Sequence, residues 1–419
     1  MNGSLMPWRL ASTRAAEGPL QRVAVACARA AGLLPMLLLA WSAALLPALV
    51  PTQAAAQVSP APAVAARHHL LVDLASGQVL SEREADQTLD PGTLTQLMTT
   101  QLVFDALRDG KLARDSRVPV SARAVARRAG GGAVMYAEPD QPLRADELLR
   151  GLVVIGAEDA AVALAEALGG DEPGFVGTMN RRALAFGLAN TLFRHADGRP
   201  GAGQFTSARD LARLAERLLS EHPTLVPLHA QRQLLHAGIR QDNPNRLLGR
   251  DASVDGLRAA ASDSGGHGLV ATAVRDTPAG PRRLLVVLLG APDADTLAAD
   301  AQQLLNWGWQ AWDAVRLFAA DQPVVSVPVW KGARNEARLG AAGALVVTVP
   351  RGQGAGLVTR IERTEPLVAP LVAGQRVGRI LVTTAGGALV AERALVVQEP
   401  VPLAGLLGRA WDALRLWIR

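Results

Sequence analysis

LDPGTLTQLMTTQLVFDAL, the segment from Leu89 to Leu107, is the most informative part of the sequence. Asp90 followed by Pro91 is a helix-start signal, because aspartate caps free N–H groups and proline loses nothing in the first helical turn. Thr93 and Gln96, three residues apart, share a face near the start of that helix. Apolar residues then recur at helical spacing and predict one buried face: Leu94, Leu97, Met98 and Leu102.

The segments around this helix predict a mixed α/β domain. HLLVDLASGQVL, from His69 to Leu80, has the pattern of a strand, a Ser-Gly turn and a second strand. Helical segments fill the middle of the chain, and two strands, Gly268 to Arg275 and Arg283 to Gly290, precede a helix from Asp293 to Trp312. This order predicts an antiparallel sheet with helices on both sides.

The pattern changes near Gln322. Short apolar strands separated by Gly and Pro turns predict a small all-β domain over residues 322–400. Residues 401–419 then read as a helix with an apolar stripe opposite its arginines, and with Trp411 and Trp417 near the end. Such a helix suits a membrane surface, and packing against the β domain is the alternative.

From His69 to Arg419, the chain resembles the D-alanyl-D-alanine carboxypeptidases, the low-molecular-mass penicillin-binding proteins. The opening hairpin, the segment from Leu89 to Leu107, FVGTMNRRALAFGLANTLF (Phe175 to Phe193) and the late β domain carry this resemblance. It implies a penicillin-binding-protein/β-lactamase-like transpeptidase fold over residues 68–321, followed by the all-β domain. It also implies a serine-type peptidase that acts on peptidoglycan peptide stems, and we expect neither a cofactor nor a metal.

The first family motif, Ser-x-x-Lys, is altered in this chain. Thr93 stands at the nucleophile position that the resemblance implies, and Gln96 at the position of the general base. An amide neither accepts nor releases protons at accessible pH, so Gln96 cannot activate the hydroxyl. Lys111 and Lys331 are the only lysines, and the sequence places both away from this site.

The second motif, Ser-x-Asn, is also altered. Gly156, Ala157 and Glu158 stand in its place, so the relay hydroxyl is lost and a carboxylate replaces the amide. Glu158 is a candidate base for Thr93, and the alternative is that it repels an anionic peptide.

The third motif, Lys-Thr-Gly, follows an intact Val254-Asp255-Gly256-Leu257 and is replaced by Arg258, Ala259 and Ala260. The resemblance implies that these residues bind substrate. Arg258 keeps a positive charge that could pair with a terminal carboxylate. Ala259 loses a hydroxyl, and Ala260 adds a Cβ where glycine admits the substrate backbone.

The first 56 residues predict export. Four arginines precede an apolar run from Gly32 to Val50, which is followed by the small-residue site Ala54-Ala55-Ala56. An uncleaved membrane anchor is the alternative, because the run is long enough to span a bilayer. Residues 57–67, rich in Pro and Ala, read as a linker. The lone cysteine, Cys27, precedes the run, so the mature chain needs no disulfide.

The formal net charge of +5 comes from arginines without an obvious basic stripe, so nothing indicates a nucleic-acid partner. We therefore expect a periplasmic protein, peripheral on the outer face of the inner membrane, that binds peptide stems or acts as a scaffold in peptidoglycan maturation without efficient catalysis. An active carboxypeptidase with a threonine nucleophile is the first alternative. A pure interaction protein that uses its β domain is the second.

Overall fold

The structure is a computed structural model that describes residues 59–139, 141–199, 203–262, 264–406 and 412. The predicted export segment (residues 1–56) and most of the predicted C-terminal helix (residues 401–419) lie outside the described residues. Within the described ranges, no helix is both long enough and apolar enough to cross a membrane.

The first domain contains strands and helices in the order that the sequence predicts. Its strands are β1 (His68–Asp73), β2 (Gln78–Arg83), β3 (Thr88–Leu89), β4 (Arg117–Val118), β5 (Leu143–Arg144), β6 (Thr206–Ser207), β7 (Gln233–His236), β8 (Ile239–Asp242), β9 (Val254–Ser262), β10 (Gly266–Thr277) and β11 (Gly280–Ala291). Its helices are α1 (Gln96–Arg108), α2 (Ala122–Val125), α3 (Ala145–Arg150), α4 (Glu158–Gly169), α5 (Glu172–Ala185), α6 (Ala208–Glu221), α7 (Leu247–Arg250) and α8 (Ala294–Ala311).

A five-stranded antiparallel sheet in the order β2-β1-β11-β10-β9 organises this domain. The central strand β11 is buried without alternation from Leu284 to Leu289, because both faces of the sheet are covered. Residues of α1, α4 and α6 form the core on one face, and α8 covers the other. The predicted sandwich of an antiparallel sheet between helices is confirmed.

The start of α1 differs from the sequence expectation. A 3₁₀ turn, Gly92–Thr95, precedes the α-helix, and Thr95 is the N-cap residue of α1 without a side-chain capping bond. Asp90 Oδ1 accepts from the Gly92 N–H at 3.1 Å, so Asp90 caps the 3₁₀ turn instead of α1. The predicted buried face is confirmed, since Leu94, Leu97 and Met98 are almost fully buried.

The described part of the predicted linker is packed rather than free. Val64 and Ala66 are buried in the core beneath α8, and the Ala66 N–H donates to Asp300 Oδ2 at 2.9 Å. Ala and Val in this Pro/Ala-rich segment therefore act as core residues of the first domain.

The second domain is all-β, as the sequence predicts. Its strands are β12 (Trp312–Phe318), β13 (Pro323–Trp330), β14 (Glu336–Ala341), β15 (Leu345–Pro350), β16 (Val358–Arg363), β17 (Leu367–Val368), β18 (Arg376–Thr383) and β19 (Leu389–Val397). Six of them form a sheet in the order β16-β18-β19-β14-β13-β17, and β12 pairs with β15. The pairing of β12 places the start of this domain at Trp312, before the expected boundary at residue 322.

Candidate active site

A cleft of about 490 Å³ opens at the start of α1. Its walls are the 3₁₀ turn before α1, the Gly130–Gly132 loop, the junction before α4, and strand β9. Of the seven site residues predicted from the sequence, Gln96 is fully buried beneath the cleft. The other six line the cleft: Thr93, Gly156, Glu158, Arg258, Ala259 and Ala260. The three altered motifs therefore come together in one place.

Both polar atoms of the Gln96 side chain are hydrogen-bonded within the protein. Its side-chain Nε2 donates to the carbonyl of Gly156 at 3.1 Å and to the carbonyl of Asp197 at 2.8 Å. Its Oε1 accepts a hydrogen bond from Arg258 Nη2. A lysine at this position could make the first two bonds but has no acceptor for Arg258.

Arg258 turns inward and is only 4% exposed. Besides Gln96, its guanidinium donates to the Thr93 carbonyl at 3.2 Å and, through Nη1, to the Leu152 carbonyl at 3.0 Å and the Val153 carbonyl at 3.4 Å. The last two carbonyls belong to the π-helical turn Gly151–Ile155. Carbonyls at a helix C-terminus lack helical partners and favour a cation, which explains why the side chain lies there.

These contacts correct the expectation that Arg258 presents a free guanidinium to a ligand carboxylate. Each of its three nitrogens already donates to the protein. Burial lowers the pKa of Arg258 to about 10, so the group still carries its charge at neutral pH. Its position beside Thr93 is as expected, but its role is to hold the floor of the cleft together.

Gly156 completes this arrangement. Its backbone is left-handed (φ 77°), and a Cβ there would overlap Arg258 Nη2. The serine of the family motif therefore cannot occupy this position while Arg258 keeps its place. Gln96 supplies the acceptor, Gly156 supplies the space, and Arg258 fills that space, so one altered position of each motif belongs to a single arrangement of contacts. We call these three residues the interlock.

Thr93 stands at the nucleophile position of the first motif. Its hydroxyl forms no hydrogen bond to any residue that the structure describes, whereas its carbonyl accepts from Arg258 Nε. A hydroxyl nucleophile needs an adjacent base, and the side chains of the interlock are an amide and a protonated guanidinium.

Glu158 begins α4 and is 8% exposed. Its carboxylate lies against the Gly130–Gly132 loop, where a Cβ on Gly132 would overlap Oε1. Burial, aided by the negative charge of Asp197 and opposed by Arg127, raises the pKa of Glu158 to about 7.

An ion-pair cluster that sequence reasoning missed lies behind Glu158. Arg127 Nε is 2.8 Å from Asp197 Oδ2, and Arg123 Nη2 is 3.0 Å from Glu172 Oε2. Arg199 Nη2 lies 3.7 Å from the same Glu172 oxygen. No local motif marks these residues, because they come from three separate segments of the chain.

Ala259 and Ala260 lie on β9, the edge strand of the sheet. Ala259 is buried in the core on the α8 side, and Ala260 pairs with Gly268 of β10. Both line the cleft without offering a polar side-chain group.

Asp90 is a further residue whose role the sequence did not reveal. Its carboxylate accepts from Ser262 Oγ at 3.0 Å, Ser264 Oγ at 3.1 Å and Gln204 Nε2 at 3.0 Å. It thereby ties the segment before the 3₁₀ turn to the end of β9 at the wall of the cleft.

Asp105, Glu221 and His222 form the group of possible metal ligands among the described residues, with ligand atoms within 4.8 Å of one another. Arg108 and Arg182 already neutralise Asp105, at 3.1 Å and 2.8 Å. None of these residues lines the cleft. The cluster is an ion-pair network outside the cleft.

Comparison with known families agrees with this architecture. Residues 54–293 match the D-alanyl-D-alanine carboxypeptidase family, and residues 312–403 match the C-terminal domain of penicillin-binding protein 5. The chain belongs to the D-alanyl-D-alanine carboxypeptidase family.

Individual relatives support the same assignment over most of the chain. It is 37% identical to D-alanyl-D-alanine carboxypeptidase DacC of Escherichia coli, over 86% of this chain and 90% of that protein. It is 31% identical to DacA of Haemophilus influenzae, over 85% and 91% respectively. The crystal structure of penicillin-binding protein 5 from H. influenzae superposes with a TM-score of 0.77 at 30% identity, covering 83% of this chain and all of that chain.

Proposed function

We propose that this protein binds peptidoglycan peptide stems in its cleft without hydrolysing them. The observation that carries the proposal is the interlock, in which Gln96 stands at the general-base position and is hydrogen-bonded to a buried Arg258. The family and the cleft supply the ligand class, and the altered motifs argue against turnover.

The proposed lack of hydrolysis follows from the chemistry of acyl transfer. Acyl transfer to Thr93 requires a group that removes the hydroxyl proton as the bond to the peptide carbonyl forms. The guanidinium of Arg258 keeps its proton at neutral pH, and an amide has no usable basicity. Loss of one member of such a catalytic unit lowers rates by orders of magnitude.

A hydrolytic alternative rests on Glu158. Its pKa of about 7 is suited to a general base at neutral pH. If Glu158 served Thr93 in this way, the protein would be a carboxypeptidase with a threonine nucleophile. The lack of a hydrogen bond between the two side chains in the described structure favours the binding function over this alternative.

The place of action belongs to the same proposal. An N-terminal export segment and an amphipathic C-terminal helix would put the cleft in the periplasm, at the outer face of the inner membrane. The helix would bind the membrane surface, and the β domain would connect it to the cleft domain.

Titration with a synthetic stem peptide that ends in D-alanyl-D-alanine tests the proposal. Calorimetry should detect binding, and a D-alanine assay of the same mixture should detect no release above that of a Thr93→Val variant. Val has nearly the shape of Thr and carries a methyl group in place of the hydroxyl. D-Alanine release that depends on Thr93 would establish the hydrolytic alternative, and absence of binding would refute the proposal.

A further inference from the structure

One carboxylate in the cleft is left without a partner. Glu158 is only 8% exposed, and its backbone N–H donates to the Ala133 carbonyl at 2.8 Å. Its carboxylate, however, forms neither a hydrogen bond nor an ion pair with any described residue. Leaving a buried charge unpaired is costly, and folded proteins normally pair or neutralise such groups. Its carboxylate oxygens lie beside the glycines of the Gly130–Gly132 loop, at the cleft wall.

The neighbouring charges do not supply the missing partner. Four charged residues act on Glu158 from the surrounding elements: Asp159 and Asp197, which are negative, and Arg127 and Arg199, which are positive. Arg127 is already paired with Asp197, and Arg199 lies near Glu172, so their charges are largely compensated. Above pH 7, where Glu158 is ionised, its negative charge is therefore left uncompensated by the described neighbours.

We infer that the Glu158 side of the cleft is a subsite for a primary ammonium group of a peptide ligand. A carboxylate is acceptor-only when ionised, so it selects donors, and an ammonium offers both three N–H groups and the compensating charge. The amide of the family motif offers a donor and an acceptor and has no such preference. The inference rests on the proposed function, since it names the ligand group that the cleft recognises.

The glycine loop makes room for this contact. The absence of side chains at residues 130–132 lets the carboxylate lie directly on the loop and leaves the cleft beside it open. Arg258 points into the floor and does not compete for Glu158. The cleft thus separates an inward cation from an unpaired anion that faces the ligand space.

Binding of matched peptides tests the inference directly. Three peptides ending in Lys-D-alanyl-D-alanine would be compared by calorimetry at pH 8: side-chain amine free, α-amine free, and both amines acetylated. We expect at least about a tenfold tighter binding for one of the free-amine peptides over the diacetylated one, the scale of one charge-assisted hydrogen bond. The two free-amine peptides distinguish a side-chain ammonium from an N-terminal one.

Variants locate the effect at Glu158. Glu158→Gln should lose the amine preference and bind all three peptides alike, whereas Glu166→Gln, on the same helix and outside the cleft, should keep it. In the parent protein, the preference should weaken as the pH falls below 7, because a protonated Glu158 no longer attracts a cation.

Two outcomes separate the inference from the proposed function. Equal affinities for the three peptides in the parent protein would overturn the ammonium subsite and leave stem binding intact. Absence of binding by all three would contradict stem binding itself, and the subsite with it. The comparison uses the unaltered protein, so it stands even if a variant fails to fold.

Discussion

A methyl group added at Gly156 should destabilise the first domain by about 2.5–4 kcal/mol. The left-handed backbone at Gly156 accounts for about 1 kcal/mol of this, the cost of placing a Cβ at φ 77°. The rest comes from Arg258, because the new Cβ would overlap Nη2 and force the guanidinium away from Gln96. Each hydrogen bond to a charged group contributes about 1.5–3 kcal/mol.

Gly131→Ala is a matched control for the backbone cost. Gly131 is also left-handed (φ 75°), and a Cβ there would meet nothing within 4 Å. Its replacement should therefore cost only about 1 kcal/mol. Urea unfolding followed by circular dichroism measures both free energies.

A double-mutant cycle then isolates the interlock. With Arg258→Ala already present, Gly156→Ala should cost only the backbone term, which corresponds to a coupling of about 1.5–3 kcal/mol between the two residues. Equal costs for Gly156→Ala and Gly131→Ala in the parent, or additive effects in the cycle, would refute the claim that Gly156 exists to make room for Arg258.

Three further predictions concern charge and attachment. Gln96→Lys should destabilise the protein by about 3–4 kcal/mol in urea unfolding, because it sets a second cation against buried Arg258, whereas uncharged Gln96→Met should cost less. Glu158→Gln should stabilise the protein by about 1–2 kcal/mol at pH 8 and leave its stability unchanged near pH 4. Because the pKa of the Glu158 carboxyl is raised from 4.5 to about 7 in the folded protein, its ionisation destabilises the fold as the pH rises through that range. Solvent in the open cleft screens part of this effect. Removing the residues after Ala404, whose N–H donates to the Lys331 carbonyl, should release the mature protein from membranes without unfolding it; continued sedimentation with membranes would implicate an uncleaved N-terminal anchor.

Most of the fold, but little of the site geometry, could be predicted from the sequence. The buried face of α1 follows from helical periodicity, and the hairpin β1–β2 follows from a Ser-Gly turn between two apolar strands. Such features depend on neighbours within a few residues. The order of strands and helices likewise follows from local patterns, and the family resemblance supplied the way they pack.

The inward course of Arg258 depends on groups far away in sequence. It requires a left-handed Gly156, the free carbonyls of Leu152 and Val153, and the acceptor of Gln96, more than a hundred residues earlier. Comparison of the motifs shows that each position differs from the family pattern, but it does not show which of the changed residues contact one another. Only their contacts show that they compensate one another.

The environment of Glu158 could not be predicted from the sequence for the same reason. Its raised pKa comes from burial and from Asp197, on a different segment, and its unpaired state depends on where Arg127 and Arg199 find their own partners. The glycine triplet at residues 130–132 was the one available signal, since a run of glycines indicates close approach by another group.

Intact-protein mass spectrometry after incubation with penicillin is the most direct test of the central claim. A β-lactam acylates the nucleophile that a stem peptide would acylate, and the resulting adduct would be visible as a mass increase of one inhibitor per chain. We predict that the mass of the mature protein stays unchanged, because neither Gln96 nor Arg258 can take the proton from Thr93. A stoichiometric adduct that is lost in Thr93→Val would contradict the account.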